Sequence, residues 1–181
     1  MNYVVTDKKL LDTHHCRRTL RTWLGTTYGT YSVEPHYAQI SPRIYAEELL
    51  EPISALKDYK LHCLNGKACF ILVCSNRQSS GKSMQVTLNL FDTHWQSLNQ
   101  YLQSFEKEQV GLGTDISRPA RLQEMIEIAQ KLSQDFQFVR VDLYEHNNRI
   151  YFGELTFSPA CGVFPYFTDA FNEKMSKELT L

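Results

Sequence analysis

The chain has 181 residues, of which 43% are hydrophobic and 22% charged, with a formal net charge of −1. A chain of this size and balance buries a core without staples, which excludes a disordered, collagen-like or disulfide-scaffold protein. No apolar run approaches the roughly 20 residues of a membrane helix. The opening MNYVVTDKKLLD lacks the long apolar core of a signal peptide, so the reading is a single soluble, cytoplasmic domain over 1–181. Residues 1–45 carry a net +3 and residues 46–181 a net −4. That excess is too small for phosphate contacts to dominate, so no nucleic-acid partner is expected, and the acidic part is where a metal site is sought.

In chain order, residues 2–6 (NYVVT) read as a short strand. Residues 13–24 (THHCRRTLRTWL) read as a helix with Asp12 or Thr13 as its N-cap. The stretch from Gly25 to Pro42 is aromatic and turn-rich. Strands are expected over 43–50 (RIYAEELL) and 58–64 (DYKLHCL). Asn65-Gly66 is a strong hairpin signal between 58–64 and a returning strand at 67–77. Residues 84–91 (MQVTLNLF) alternate as another strand. The intervening SSGKS lacks the first Gly of a phosphate-binding loop and precedes a strand, so it reads as a hairpin turn.

Residues 118–133 (RPARLQEMIEIAQKLS) give the clearest helix. Leu122, Met125, Ile126, Ala129 and Leu132 share one face, and Pro119 suits the first turn. Two alternating strands, 137–145 and 149–157, follow around HNNR. The order is that of an α+β fold with an antiparallel sheet packed with helices. The five cysteines form no CxxC pair, which leaves a zinc site unsupported, and Cys63, Cys69 and Cys74, inside apolar runs, read as buried free thiols. The histidines are scattered, with no triad spacing, and His14 and His15 diverge on their helix.

The last hairpin carries the chemistry. In FVRVDLYE, Arg140 and Asp142 share a face, and in RIYFGELTF so do Glu154 and Thr156. An odd-numbered loop, such as Asn147–Arg149, or a bulge near it sets Asp142 opposite Glu154 and Arg140 opposite Thr156. A plain two-residue turn pairs Asp142 with Gly153 and separates the carboxylates. Two carboxylates and a hydroxyl on one face suit Mg²⁺, whose remaining ligands come from phosphate and water, and a neighbouring arginine suits phosphate oxygens. The alternative is a charged strand face with an Arg–Asp pair. If the carboxylates do meet without a cation, they are expected to repel, with one pKa raised. A second cluster comprises Glu47, Glu48, Asp58, Lys60 and Arg77, at strand ends that suit ribose hydroxyls and phosphates.

In family order, KKLLDTHHCRRTLRTWL, HYAQISPRIYAEELL, DYKLHCLNGKACFILVCSNR, FVRVDLY and IYFGELTFSPACG resemble the TupA-like (teichuronopeptide-biosynthesis-type) ATP-grasp family. DYK with a distant Arg resembles the DxR…R pattern of ribosomal-protein glutamate ligases. RVD…GELT resembles the RvD…nEiN motif of D-alanine–D-alanine ligases. The resemblance implies an ATP-grasp-like fold and the ATP-binding portion of a carboxylate–amine ligase. It implies ATP and Mg²⁺ as cofactors, a carboxylate from a surface polysaccharide or small molecule, and an amine donor. Glu47, Glu48 and Leu50 would form the adenine hinge and Asp58 would face the ribose. Lys60, Arg77 and Arg140 would contact phosphates or the acyl-phosphate, and Asp142, Glu154 and Thr156 would hold Mg²⁺.

Two departures accompany the resemblance. GELTFSPACG has Ala160-Cys161 where the family's usual GELTFTPGSG has Gly-Ser. The family's upstream subdomain, with its lysine strand and Gly-rich loop, has no counterpart here. The expectation is a domain lacking the N-terminal subdomain, either with that half encoded separately or as a non-catalytic remnant.

Overall fold

The computed structural model describes residues 2–27, 34–50, 52, 55–80, 83–103, 109–112, 116–162 and 165–179. The chain divides into two compact units, Met1–Leu50 and Glu51–Leu181. In the first, helix α1 spans Thr13–Leu24. Asp12 is its N-cap, the carboxylate accepting from the backbone N–H of His14 and His15 at 3.0 and 2.9 Å, which satisfies two of the orphan donors of a helix start. The expected strand at 2–6 does not form. Its apolar residues have no neighbouring backbone to pair with among the described residues, and the Tyr3 ring packs against His15 and Trp23 of α1 instead. The expected strand at 43–50 is also absent: residues 41–50 carry no regular structure. RIYAEELL is poor in β-branched residues, and alternation without a ladder partner does not make a strand.

The second unit is built on one six-stranded sheet. Its strands are β1 (Asp58–Leu64), β2 (Lys67–Ser80), β3 (Ser83–Asp92), β4 (Gln109–Leu112), β5 (Phe138–His146) and β6 (Arg149–Thr156), in the order β4-β3-β2-β1-β5-β6. Every neighbouring pair is antiparallel except β3–β4, which is parallel. The antiparallel expectation therefore holds for five strands, and short β4 departs from it. Asn65 and Gly66 turn β1 into β2 with φ of 50° and 75°, the left-handed pair of a type I′ hairpin. The expected turn at Gly81-Lys82 lies outside the described residues.

Helix α2 spans Leu122–Ser133. It begins four residues after the expected 118, because Pro119 only accepts the first turn's hydrogen bond from Leu122 N–H. Leu122, Met125, Ile126 and Ala129 bury against Tyr59, Leu61, Ile71, Val73, Val139, Val141 and Leu143 on one sheet face. Each of the large aliphatic side chains contributes about 1.5–3 kcal/mol. Leu132, assigned to the same face, stays 37% exposed, and Ser133 is buried in the last turn.

The opposite sheet face divides in two. Over β2 and β3, Phe70, Leu72, Cys74, Leu88 and Leu90 pack beneath Leu102, Phe167 and Phe171, the last from helix α3 (Asp169–Ser176). Over β1, β5 and β6 the same face is polar. No helix among the described residues is long and apolar enough to cross a membrane.

Candidate functional site

Strand alternation places Asp58, Lys60 and His62 of β1 on this polar half-face. The β1–β5 register sets Lys60 opposite Asp142 and His62 opposite Arg140. Across the next ladder, Asp142 pairs with Glu154 and Arg140 with Thr156. The loop between β5 and β6 is a two-residue turn, with His146 paired to Arg149 and Asn147 and Asn148 both at positive φ. A regular ladder from that turn would bring Gly153 opposite Asp142.

The register instead shifts between Asp142 and Leu143. Leu143 pairs with Phe152 and Asp142 with Glu154, leaving Gly153 as the extra residue of a β-bulge. The carboxylates therefore converge as expected, but the bulge lies inside the strand rather than at Asn147–Arg149. A Cβ on Gly153 would stand 3.0 Å from a ring carbon of Tyr144 and 3.1 Å from the Asp142 carbonyl oxygen. Only glycine lets the bulged backbone pass so close.

The converging side chains form one ion network. Lys60 Nζ bridges Asp58 Oδ2 at 2.8 Å and Asp142 Oδ2 at 2.5 Å. Arg140 holds Asp142 with two bonds, Nε to Oδ1 at 2.6 Å and Nη2 to Oδ2 at 2.7 Å. The same Nη2 donates to Glu154 Oε1 at 3.0 Å and to Thr156 Oγ1 at 2.9 Å. Thr156 Oγ1 in turn donates to Glu154 Oε1 at 3.0 Å. Asp142 is 2% exposed, whereas the Glu154 side chain is 62% exposed. The network thus runs from a buried base on β1 and β5 to an open rim on β6.

Its electrostatics correct the expectation of two repelling carboxylates. Burial alone would raise the Asp142 pKa, but the Arg140 hydrogen bonds and the charges of Lys60 and Arg140 outweigh it and hold the carboxyl below its usual range. Burial likewise opposes the Arg140 charge, and the bonds and charge of Asp142 more than restore it. The guanidinium stands between the two carboxylates, so they share a cation instead of facing each other bare.

Sequence alternation also marks His62, which spacing rules passed over. Its ring stacks on Phe70 at 4.3 Å and sits edge-on to Phe167. Burial, with help from the Arg140 charge, pushes its pKa down to about 3. A neutral wall therefore flanks Arg140 where the polar and apolar halves of the face meet. The D-x-K-x-H pattern of Asp58, Lys60 and His62 was the available signal for it. Gly153 was also passed over, and a glycine inside an alternating strand was its signal.

Asp58, Lys60, Arg140, Asp142, Glu154 and Thr156 are brought together. Arg77 lies in an irregular stretch of β2 between Ser75 and Gln78, and its side chain is outside the described residues. Glu47, Glu48 and Leu50 belong to the first unit, in its irregular 41–50 segment.

Among the described residues, no group of three or more His, Cys, Asp and Glu side chains is gathered for a metal ion. Mg²⁺ does not require one, since it commonly takes one or two protein carboxylates and completes its shell from phosphate and water. Asp142, Glu154 and Thr156 are hard oxygen donors of that kind. Arg140 Nη2 already occupies the shared position as a cation, so the donor set fits a divalent ion provided this contact yields. The family model for TupA-like ATPgrasp matches residues 2–180. No curated protein and no solved structure matches the chain.

Proposed function

Since the chain belongs to the TupA-like ATPgrasp family, we propose that the polar half-face of β1, β5 and β6 binds Mg-ATP for an ATP-dependent carboxylate–amine ligation. What supports this reading is the convergence of Lys60, Arg140, Asp142, Glu154 and Thr156 on one face. Three separate strands and a glycine bulge are needed to bring them there. An exposed charged strand would need no such register device.

Lys60 and Arg140 supply fixed positive charge for phosphate oxygens in a partly dehydrated setting, where electrostatic stabilisation is strong. Asp58 and Asp142 orient those two cations before any ligand arrives, which lowers the cost of ordering them. Asp142, Glu154 and Thr156 would hold Mg²⁺, which when bound neutralises phosphate charge during transfer. The carboxylate substrate attacks the γ-phosphorus and ADP leaves. An amine then displaces phosphate from the acyl-phosphate, forming the amide. Glu47, Glu48 and Leu50 are assigned to the adenine and Arg77 to phosphate. The carboxylate is assigned to a uronic acid or acidic amino acid of a bacterial cell-surface polymer.

Trapping tests the reaction class. With Mg-ATP, hydroxylamine and a uronic or acidic amino acid, the protein is expected to yield a hydroxamate in step with ADP. ADP release without hydroxamate for any carboxylate would contradict a ligase. Mg-ATP binding with no turnover would favour a nucleotide-binding remnant.

A further inference from the structure

On the reverse side of the sheet, at the β5–β6 turn, lies a cavity of about 410 Å³. Its lining includes Lys57, Tyr59, Ser117, Arg118, Glu145 and Asn148. Tyr59 falls between Asp58 and Lys60 in the chain, and Glu145 lies three residues beyond Asp142. The cavity therefore opens back to back with the ion network, on the α2 side of the same strands.

Two features of its lining leave polar groups available to a ligand. Among the described residues, Lys57, Arg118 and Glu145 form no ion pair with one another or with any other side chain, although each has opposite charge close by in the same lining. Nearby Arg121, by contrast, is tied to Glu124 at 2.5 Å and to the Asn148 carbonyl at 2.9 Å. Tyr59 is only 4% exposed overall, yet it lines the cavity, and its hydroxyl forms no hydrogen bond with another described residue.

We infer that this cavity binds a small organic anion. Its phosphate or carboxylate head pairs with Lys57 and Arg118, and its hydroxyl or ammonium group donates to Glu145. Two cations from separate segments, before β1 and before α2, suit an oxyanion. The Tyr59 and Ser117 hydroxyls donate to the remaining oxygens. The single carboxylate selects against a bare anion and for one that carries a donor. The volume suits a ligand of a few carbons with its hydration.

Calorimetric titration of the whole chain with sn-glycerol 3-phosphate, glycerate, inorganic phosphate and glycerol tests the inference. Saturable binding is expected for glycerol 3-phosphate or glycerate and not for glycerol, and the tighter of the two identifies the head group. Lys57→Gln and Arg118→Gln, both at accessible positions, should each weaken it about tenfold. Tyr59→Phe should weaken it severalfold, and Glu145→Gln should erase the preference over inorganic phosphate. Saturating Mg-ATP and Glu154→Gln should leave it unchanged, so its outcome is separable from that of nucleotide binding. No saturable binding of either organic anion up to about 10 mM would overturn the inference. Binding that Glu154→Gln or Mg-ATP abolishes, while Lys57→Gln and Arg118→Gln spare it, would also overturn it.

Discussion

Asp142 stands directly opposite Glu154 across β5 and β6, and one extra residue, Gly153, makes that pairing compatible with the two-residue turn at Asn147-Asn148. Without the bulge, the same turn would send Glu154 to the helix-covered face. The side-chain period of two means that a one-residue slip inverts a whole strand.

Gly153→Ala therefore tests the bulge. The added methyl meets the Asp142 carbonyl oxygen at 3.1 Å, and backbone gives way less readily than a side-chain tip. Destabilisation of about 1–3 kcal/mol is expected in urea unfolding. A variant as stable as wild type would show that the bulge accepts a Cβ.

Asp142→Asn should destabilise the ligand-free protein by about 3 kcal/mol or more, because it leaves the buried Lys60 and Arg140 charges without their shared partner. This reverses the effect expected of two repelling carboxylates. Combined with Lys60→Gln, the losses should be non-additive by about 0.5–3 kcal/mol. Additive losses in a double-mutant cycle would contradict the bridge.

Acid sensitivity should begin with His62. Burial lowers its folded pKa from 6.5 to about 3. Between those values the unfolded chain binds more protons, so stability falls as pH falls through that window and is unaffected above it. The slope approaches about 1.4 kcal/mol per pH unit. Asp142, whose pKa is also lowered, adds its loss only below its unfolded value of 3.8. Chemical denaturation from pH 7 to pH 4 should show the slope in wild type and a flatter one in His62→Phe. Parallel slopes would assign the acid sensitivity elsewhere.

Much of this site was legible because alternation is a strong local signal. Arg140 with Asp142, and Glu154 with Thr156, follow from period two alone. Their meeting depended on Gly153, and a bulge is a non-local choice that spacing leaves open between two registers. The pairing of Lys60 with Asp142 joins strands 82 residues apart, a distance over which local patterns carry no register. That pairing also changed the electrostatics from repulsion to a shared cation. The expected strands at 2–6 and 43–50 failed for a related reason, since a strand needs a neighbour as well as a pattern. Pro119 marked the approach to α2 correctly but preceded its first full turn.

The role of the β1–β5–β6 face as a Mg-ATP site is tested most directly by thermal melts of wild type and Glu154→Gln, each with and without Mg-ATP. The Glu154 side chain is 62% exposed, so its neutralisation should change ligand-free stability by no more than about 1 kcal/mol. Wild type at ligand near 100 Kd should gain about 2.7 kcal/mol, and Glu154→Gln should lose most of that gain. Absence of a shift in wild type at millimolar Mg-ATP, or an undiminished shift in Glu154→Gln, would contradict the assignment.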